Sequence, residues 1–468
     1  MKTRLSLLQL VVPLFFFIGC NKEKRFVPLP SIEIPDSVIS NTDTIIIEKE
    51  LPPITNFGRT CQPKEIIRNT SNISGYTDKE SYEPGETVYF YIHSKTPEYS
   101  FNLYRFGATE TLINSQNRSD GNIQNYLCYA YSWGCDWKMT FSFNLASNLS
   151  SGYYSSEVSN SFGSWWITFI VKEPSKSADI ALLASNNTWA AYNNWGGGSF
   201  YKNFIEEENN FSEDVTFARP NNRSSPRYNT HLGGAELHLI RWLENKNHSF
   251  DMYAEQDMHY FPNKFANYKV IIIQVHPEYY TKEMYDVLEN HVRTGGNLMY
   301  LGGNGVYAKV VYDPTLRRLE TRKSGTEHRY ENSTGGLWRN LNRPESSLLG
   351  VEYDSRGFNT FHAYKVKKES HWIFNNTGLK NGDSFGGNCG RGGASGAETD
   401  KITQYSPKNL IHLAKGNNPD DGGADMIYYE NNTGGKVFSV GSISYTSCIN
   451  SDPEISQITE NVLIEFLK

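Results

Sequence analysis

The clearest hydrophobic pattern of the chain lies in residues 268–304 and predicts one complete βαβ unit. Residues 270–275 are mostly apolar and β-branched, which is typical of a strand buried on both faces of a parallel sheet. Apolar positions with helical spacing follow Thr281, which can cap the helix, and Gly295 begins the turn that ends it. Residues 297–301 then predict the second strand of the unit.

Polar and aromatic residues follow the predicted strands. Residues 276–280 (HPEYY) come after the first strand, and residues 302–304 (GGN) come after the second. An apolar strand at 179–185 is followed by a third such loop at 186–198. Because ligands of open α/β sheets bind outside the carboxyl ends of the strands, we expect these three loops to form the functional site.

Residues 66–174 show a different pattern, with short alternating runs of apolar and polar residues between Gly and Pro turns. The runs at 87–93, 101–106 and 165–171 are the clearest of them. Strands at this spacing predict a β-sandwich with an Ig-like architecture.

The predicted fold is therefore multi-domain, with an Ig-like β-sandwich at 64–174 and an α/β domain at 175–468. We expect three layers in the α/β domain, with a mostly parallel sheet as in flavodoxin-like or glutamine-amidotransferase-like proteins. A strand at 250–253 and a closing helix at 455–467 extend this domain.

The first twenty residues predict an exported lipoprotein. Lys2 and Arg4 precede an apolar stretch of signal-peptide length, and a small residue precedes Cys20, as in the bacterial lipobox. We therefore expect a signal peptide at 1–19, lipidation of Cys20 and an extended tether at 20–63. An ordinary signal peptide followed by an incidental cysteine is the alternative.

The composition of the chain argues against several classes of function. A net charge of -6 with 21% charged residues gives no basic stripe, which argues against nucleic-acid binding. The aromatic content of 14%, with 30 Tyr, is common in secreted sugar-handling and surface proteins. The GxSxG elbow, the phosphate loop and the GxGxxG motif are missing, so serine-hydrolase and nucleotide chemistry have little support.

Cysteine usage fits an exported protein. Besides the lipobox cysteine, Cys128 and Cys135 are close in sequence and are predicted to pair. Cys389 can pair with Cys448, which leaves Cys61 over. No pair shows CxxC spacing, so a zinc site built from thiolates is not expected.

The three loops offer oxygen and imidazole groups for chemistry. Glu278 and the neighbouring tyrosines carry oxygen donors, which suit hard cations such as Fe(III), Mn or Mg. A phenol with a pKa of about 10 binds well only when a strongly Lewis-acidic metal removes its proton, which favours ferric iron. His276 could instead act as a general base.

Several motifs resemble the large (β) subunit of N,N-dimethylformamidase. The catalytic-domain motifs are NTWAAYNNWGG at 187–197, HPEYY at 276–280 and GGN at 302–304, with GLWR at 336–339 and ETD at 398–400. Short β-sandwich motifs also match, so the resemblance extends from about residue 81 to the carboxyl end.

The resemblance implies a mononuclear iron, expected to be ferric, held by two tyrosinates and one glutamate. Matching motif to motif assigns these ligands to Tyr154, Tyr192 and Glu278. Tyr153 is adjacent to Tyr154, and either of the two could be the match.

The resemblance also implies metal-assisted hydrolysis of an amide, with His276 as an acid/base or supporting residue. Asn304, Lys323 and Glu398 would assist it. Two positions depart from the family pattern, because Pro277 stands where an acidic residue is expected and a tyrosine stands at position 280 in place of tryptophan.

The sequence therefore predicts an iron-dependent amidohydrolase that is lipid-anchored at the bacterial cell envelope and acts on a small amide. Homo-oligomers are compatible with the resemblance, since the relatives form multi-subunit assemblies. The alternative is a non-catalytic surface lipoprotein that binds a glycan or a nutrient. A third hypothesis is a glycosidase, which would need a second carboxylate at a defined distance from Glu278.

Overall fold

The computed structural model describes residues 66–202, 211–315 and 317–468. The predicted signal peptide, the tether and Cys20 therefore lie outside the described residues. None of the described helices is long and apolar enough to cross a membrane.

The alternating segments up to residue 171 form strands. In chain order, the strands and one short helix are β1 (Ile66–Ile67), β2 (Ile73–Thr77), β3 (Ser81–Tyr82), β4 (Thr87–Ser94), β5 (Tyr99–Phe106), β6 (Glu110–Arg118), β7 (Tyr126–Leu127), α1 (Ala130–Trp133), β8 (Phe141–Asn144), β9 (Gly152–Asn160) and β10 (Gly163–Val171). The runs predicted at 87–93, 101–106 and 165–171 are confirmed as β4, β5 and β10.

Two of the sheets in this part pack face to face. One has the order β2-β4-β8 and the other the order β3-β10-β9-β5-β6. Phe90, Phe101 and Phe169 meet in the core that the two sheets share. The rings of Phe90 and Phe101 lie 5.1 Å apart, edge to face, a geometry that stabilises aromatic pairs beyond their buried area. The Ig-like strand order and the boundary near residue 174 stay predictions.

The next elements lead to the predicted site. They are β11 (Ile180–Ala184), α2 (Asn186–Tyr192), β12 (Asp214–Thr216), α3 (Gly233–Asn245), β13 (Asp251–Ala254), α4 (Glu255–Tyr260), β14 (Val270–Val275), β15 (Tyr279–Tyr280), α5 (Lys282–Arg293) and β16 (Asn297–Gly302). The predicted βαβ unit is confirmed, because β14, α5 and β16 follow in order and β14 pairs parallel to β16. The Thr281 hydroxyl accepts a hydrogen bond from the backbone N–H of Met284 and so caps α5 as predicted.

The remaining elements are mostly short strands. They are β17 (Ala308–Asp313), β18 (Arg318–Thr321), α6 (Glu345–Leu349), β19 (Glu352–Asp354), β20 (Phe361–His362), β21 (Tyr364–Val366), β22 (Ser384–Phe385), β23 (Ser395–Gly396), β24 (Thr399–Lys401), β25 (Ile411–Gly416), β26 (Asp425–Glu430), β27 (Lys436–Ser439), α7 (Tyr445–Cys448) and α8 (Pro453–Phe466).

The largest described sheet is mixed, with the order β13-β11-β14-β16-β27-β26-β25-β21-β22. Its first five strands run parallel, whereas every pairing from β27 to β22 is antiparallel. The expectation of a three-layer α/β domain with a mostly parallel sheet is therefore wrong. The physical reason lies in the connections, since a short link such as the one between β26 and β27 permits only antiparallel pairing.

Helices cover the parallel half of this sheet on both faces. Apolar residues of α3 and α8 pack on one face, and those of α5 pack on the other. A smaller sheet, β12-β18-β17-β15, lies at the carboxyl edge of the parallel strands, because β15 belongs to the loop that follows β14. This edge is where the sequence predicts the functional site.

The disulfides differ in part from the prediction. Cys389 and Cys448 are bonded, as proposed from the sequence. Cys135 is a buried free thiol, so the predicted Cys128–Cys135 disulfide is wrong, although Cys128 is itself disulfide-bonded. The turn at Gly134 separates the two side chains into different apolar clusters.

Candidate active site

The carboxyl ends of β14 and β16 bring the predicted motifs together. Val275 ends β14 with a φ of 57°, which turns the chain out of the sheet before His276 and Glu278. Gly303 follows β16, and a Cβ atom there would lie 2.7 Å from the backbone oxygen of Glu398. Only glycine permits this approach, which places the segment of Glu398 beside His276.

The carboxylate of Glu278 is the centre of the cluster, and the residue is 1% exposed. The Tyr201 hydroxyl lies 2.6 Å from both carboxylate oxygens and donates to them. Lys323 Nζ lies 3.5 Å from Oε1, and His276 Nε2 lies 3.4 Å from Oε2. These partners offset the cost of burying a charged group.

Three tyrosines line this carboxylate. The Tyr279 hydroxyl donates to the hydroxyl oxygen of Tyr201 at 2.7 Å and accepts from Lys323 Nζ at 2.7 Å. The ring of Tyr192 lies 4.2 Å from that of Tyr201. Tyr201 is 38% exposed, so the cluster reaches solvent on this side.

A second carboxylate approaches His276 from the loop before β24. His276 Nε2 lies 3.4 Å from Glu398 Oε2, without hydrogen-bond geometry. Among the described residues, neither imidazole nitrogen has a hydrogen-bond partner, and the same holds for Glu398 Oε2 and Asn304 Oδ1. Buried polar atoms of native proteins are usually hydrogen-bonded, so these atoms mark a place for water or substrate.

The buried groups shift one another's pKa. Burial alone would lower the pKa of His276, but Glu398 and Glu278 outweigh it and raise the pKa above its ordinary value. Burial alone would raise the pKa of Glu398, but His276 outweighs it and lowers the pKa. Burial and the charge of Glu278 raise the pKa of Tyr192 and Tyr201. Without a metal, the His276–Glu398 pair is therefore charged and the phenols are neutral.

Asp400 holds the turn that carries Asn304. Asn304 has a φ of 51°, and its backbone N–H donates to Asp400 Oδ1 at 2.8 Å. The Tyr300 hydroxyl donates to Asp400 Oδ2 at 2.6 Å. Burial raises the pKa of Asp400 to about 6. These bonds fix Asn304 relative to Glu398, which lies two residues before Asp400.

The segment predicted as a loop at 186–198 begins with helix α2. Glu236 of α3 accepts a hydrogen bond from the Ser185 N–H at 3.0 Å, and Glu255 accepts one from the Asn187 N–H at 2.9 Å. Two distant carboxyl groups thus satisfy the free N–H groups at the amino end of α2. The polar sequence of this segment gave no helical periodicity, so only the fold reveals the helix.

The structure brings together six of the seven residues predicted for iron binding and catalysis, namely Tyr192, His276, Glu278, Asn304, Lys323 and Glu398. Tyr154 lies instead in the core between the sandwich sheets, and its hydroxyl donates to the Ser150 carbonyl at 2.8 Å. Tyr153 faces the other side of β9 and donates to the Ser224 carbonyl. The structure therefore does not bring Tyr154 to the cluster, because the alternation of β9 directs it into the sandwich.

Sequence reasoning missed Tyr201 and His231, and it gave Tyr279 no role of its own. Tyr279 stands within the HPEYY motif, so the sequence itself shows that it is next to the carboxylate of Glu278. Tyr201 follows the glycine run after Tyr192 and carries no pattern of its own. The ring of His231 lies 5.1 Å from that of Tyr192 and 5.8 Å from that of His276, a contact that only the fold creates.

The donor set of the cluster can be compared with what metals require. Within the described ranges, no group of three or more His, Cys, Asp or Glu side chains is placed to hold a metal ion. A metal at this site would therefore need tyrosine oxygens. The two phenols of Tyr192 and Tyr201 and the carboxylate of Glu278 form a hard, anionic set that fits ferric iron.

Comparison with known proteins identifies a family that matches most of the chain. The family described as N,N-dimethylformamidase beta subunit-like, C-terminal, matches residues 101–458. The N,N-dimethylformamidase beta subunit of Paracoccus aminophilus is 26% identical over 446 residues, and that of Alcaligenes sp is 26% identical over 443 residues. Each alignment covers 75% of this chain and 58% of the relative, so the chain spans less than two thirds of the length of these relatives.

One solved structure, described as mmIFT52 N-terminal domain, also matches. It is 15% identical and covers 48% of this chain and 87% of that chain, with a TM-score of 0.29. A TM-score this low carries no argument about fold or function.

Proposed function

Because this chain belongs to the N,N-dimethylformamidase beta subunit-like family, we propose that it hydrolyses the C–N bond of an amide at the cluster around Glu278. The observation that carries the proposal is the contact of Tyr201 with both oxygens of Glu278, next to atoms of His276 and Glu398 that have no hydrogen-bond partner in the described chain. The family match spans all four residues.

We propose Tyr192, Tyr201 and Glu278 as the ligands of a single ferric ion. Tyr201 takes the place that the resemblance gave to Tyr154, since it is the tyrosine in contact with the carboxylate. Bound there, ferric iron would polarise the amide carbonyl and lower the pKa of a water molecule.

The chain's own residues supply proton transfer and charge. Glu398 Oε2 has no hydrogen-bond partner in the described chain and can accept a proton from the attacking water. His276, at 3.4 Å from that oxygen, can pass the proton to the departing amine nitrogen. Lys323, whose side chain is 31% exposed, places a positive charge where an oxyanion can develop. Water is consumed, and a carboxylic acid and an amine are released.

Tyr201→Phe should lose iron, whereas Tyr154→Phe should keep it. Removal of a ligand oxygen should weaken iron binding by more than about 100-fold, since the loss of a supporting residue already costs about 10- to 100-fold. Metal analysis of the purified full chain, with its visible tyrosinate-to-iron absorption band, measures this. Equal iron in both variants would refute Tyr201 as a ligand. Loss of iron in Tyr154→Phe alone would show that Tyr154 of the sandwich is the ligand.

Glu398→Gln should retain iron and lower kcat by about 10²- to 10⁴-fold, the range typical of a lost general base. The assay is amine release from a panel of small N-substituted amides. Wild-type protein that holds no iron after reconstitution and releases no amine would contradict the proposed function. It would favour the binding lipoprotein instead.

We also propose that the protein is anchored at the cell envelope by lipid on Cys20. The lipobox-like sequence supports this proposal. Cys20→Ser should move the protein from the membrane fraction to the soluble fraction, and mass spectrometry should find an acylated Cys20 in the wild type. An unmodified mature amino terminus would refute the anchor.

Because the relatives are named beta subunits, we further propose that the chain assembles into oligomers, which light scattering can test.

A further inference from the structure

Lys323 reaches the site from a loop. This loop follows β18 and spans residues 322–336, and its tip at residues 324–327 is exposed. The Lys323 ammonium lies over the rings of Tyr201 and Tyr279, 4.6 and 4.9 Å from their centres. A lysine side chain has many rotamers and loses entropy when it is held in one of them. The placement of this ammonium therefore requires a loop backbone that is itself held in place.

The carboxylate of Glu320, on β18, binds the loop on both sides of Lys323. Before Lys323, Arg322 donates to Glu320 Oε1 from Nε at 2.9 Å and from Nη2 at 2.7 Å. After it, Arg329 donates to Oε1 from Nε at 2.7 Å and to Oε2 from its backbone N–H at 2.9 Å. His328 Nδ1 lies 3.2 Å from Oε2. One carboxylate therefore closes the loop.

Glu320 is a rigid and charged point of attachment. It is 0% exposed and lies on a strand that pairs with β12 on one side and with β17 on the other. Burial alone would raise the pKa of its carboxyl group, but the hydrogen bonds from His328 and Arg329 outweigh burial and lower the pKa to about 2. A buried ion pair generally stabilises a fold no better than apolar residues of similar volume, so its presence here points to a role in positioning.

The returning half of the loop is held by the neighbouring strand. Lys309 of β17 donates from Nζ to Ser333 Oγ at 2.6 Å. Gly335 packs against Arg322, and a Cβ atom at Gly335 would collide with the Cβ atom of Arg322. Lys309 also pairs with Tyr280 of β15, the strand that carries one of the two rings under the ammonium. The loop and this ring are therefore attached to the same sheet.

We infer that Glu320 is a positioning residue, which closes the loop at 322–336 and so holds the Lys323 ammonium beside Glu278. The inference rests on the proposed amide hydrolysis, in which that ammonium stabilises a developing oxyanion. Glu320 itself touches neither substrate nor reacting atoms. Its loss should leave substrate binding intact and displace the positive charge, and a displacement of about 1 Å can lower the rate about 100-fold.

The test is a double-mutant cycle on the iron-loaded full chain, with amine release from a small N-substituted amide as the assay. Lys323→Met should lower kcat about 10²- to 10³-fold, as the loss of an oxyanion donor does. Glu320→Gln should lower kcat about 10- to 100-fold with KM little changed. In the Lys323→Met background, Glu320→Gln should lower kcat by less than about twofold more, since residues that act through one group are not additive.

Hydrogen–deuterium exchange of residues 322–336 gives a readout apart from turnover and can be measured on the iron-free chain. Glu320→Gln should speed exchange in this loop, because the Arg329 N–H loses its charged acceptor. Lys323→Met should leave the exchange unchanged. Iron content is measured in every variant, because Lys323 also contacts Glu278.

Asp251→Asn is the matched control. Asp251 is also 0% exposed, and its carboxylate accepts from the Ser177 N–H and from the Tyr268 hydroxyl at the start of β13, the edge of the sheet opposite the site. It should change neither kcat nor the exchange of the loop, even where it lowers stability. If Glu320→Gln does not fold, Arg329→Gln is the second variant, because its side chain is 34% exposed, and it should act in the same direction.

Equal losses from Glu320→Gln with and without the Lys323 ammonium would overturn the inference while amide hydrolysis stands. Unchanged exchange of the loop in Glu320→Gln would overturn it as well. A wild-type chain that releases no amine would instead count against the proposed function, and the positioning role of Glu320 would fall with it.

Discussion

At the residue scale, the site depends on how buried polar groups are paired. Glu278 is buried and is met by a phenol, an ammonium and an imidazole, whereas Glu398 Oε2 has no hydrogen-bond donor in the described chain. The first arrangement suits a carboxylate that stays in place, and the second suits one that exchanges a proton. The two glutamates therefore have different parts in the proposed chemistry because their partners differ.

Glu236, buried beneath α2, predicts how stability changes with pH. Burial raises its pKa from 4.5 to about 8. Below pH 4.5 the carboxyl is protonated in both folded and unfolded chains. Between pH 4.5 and 8 only the folded chain keeps the proton, so the free energy of unfolding should fall as pH rises, by a few kcal/mol as an order of magnitude.

Glu236→Gln should make this fall smaller, because the amide oxygen can still accept from Ser185 and Trp189 but does not titrate. Urea unfolding at pH 5 and pH 8 measures the difference. Glu98→Gln, at an exposed position, is the control. An unchanged pH dependence in Glu236→Gln would contradict the assignment.

At the element scale, the site is made where β14, β16 and the segment before β24 converge. The strands carry their polar residues just past their ends, so the sheet register sets the distance between His276 and Asn304. The close packing of Gly303 on the backbone of Glu398 then sets the third side of the cluster.

Gly303→Ala should therefore damage the site more than the fold. Its Cβ would meet the Glu398 oxygen and the Ile443 nitrogen, each at 2.7 Å, and would push the Glu398 segment away from His276. We expect kcat to fall about 100-fold, with a loss of about 1–3 kcal/mol in stability. Amide turnover and urea unfolding measure the two effects. Gly163→Ala is the control, because its Cβ would meet only Asn72 at 3.9 Å, and it should change neither turnover nor stability. Full activity in Gly303→Ala would show that the close packing of Gly303 on Glu398 is not needed.

At the scale of the whole molecule, ion pairs attach the sandwich to the mixed sheet. Asp257 of α4 accepts from Ser81 Oγ at 2.9 Å and from Lys172 Nζ at 2.7 Å. On the other side, Arg105 of β5 contacts Glu244 of α3 at 2.7 Å. The sandwich strands therefore pack directly against helices of the sheet layer.

Asp257→Ala should destabilise the molecule by about 3 kcal/mol, because Lys172 would be left mostly buried without its counter-charge. Urea unfolding followed by circular dichroism measures this loss. Lys176→Ala removes an exposed lysine of a surface pair and should cost less than about 1 kcal/mol. Equal effects of the two substitutions would show that the buried pair does not hold the two parts together.

The sequence by itself determined the βαβ unit, the capping of α5 by Thr281 and the polar groups at the strand ends. These features depend on local periodicity and on the general geometry of parallel strands, so they can be read along the chain. His276, Glu278 and Asn304 can be identified in this way from the sequence.

Only the tertiary structure decided which tyrosine meets Glu278. The local sequence does not show which of Tyr154 and Tyr201 lies near Glu278. Strand β9 directs Tyr154 into the sandwich core, and the chain after α2 brings Tyr201 to the site. The antiparallel half of the sheet and the free thiol of Cys135 were likewise missed. Each of these depends on contacts between residues far apart in the chain, which short-range periodicity does not encode.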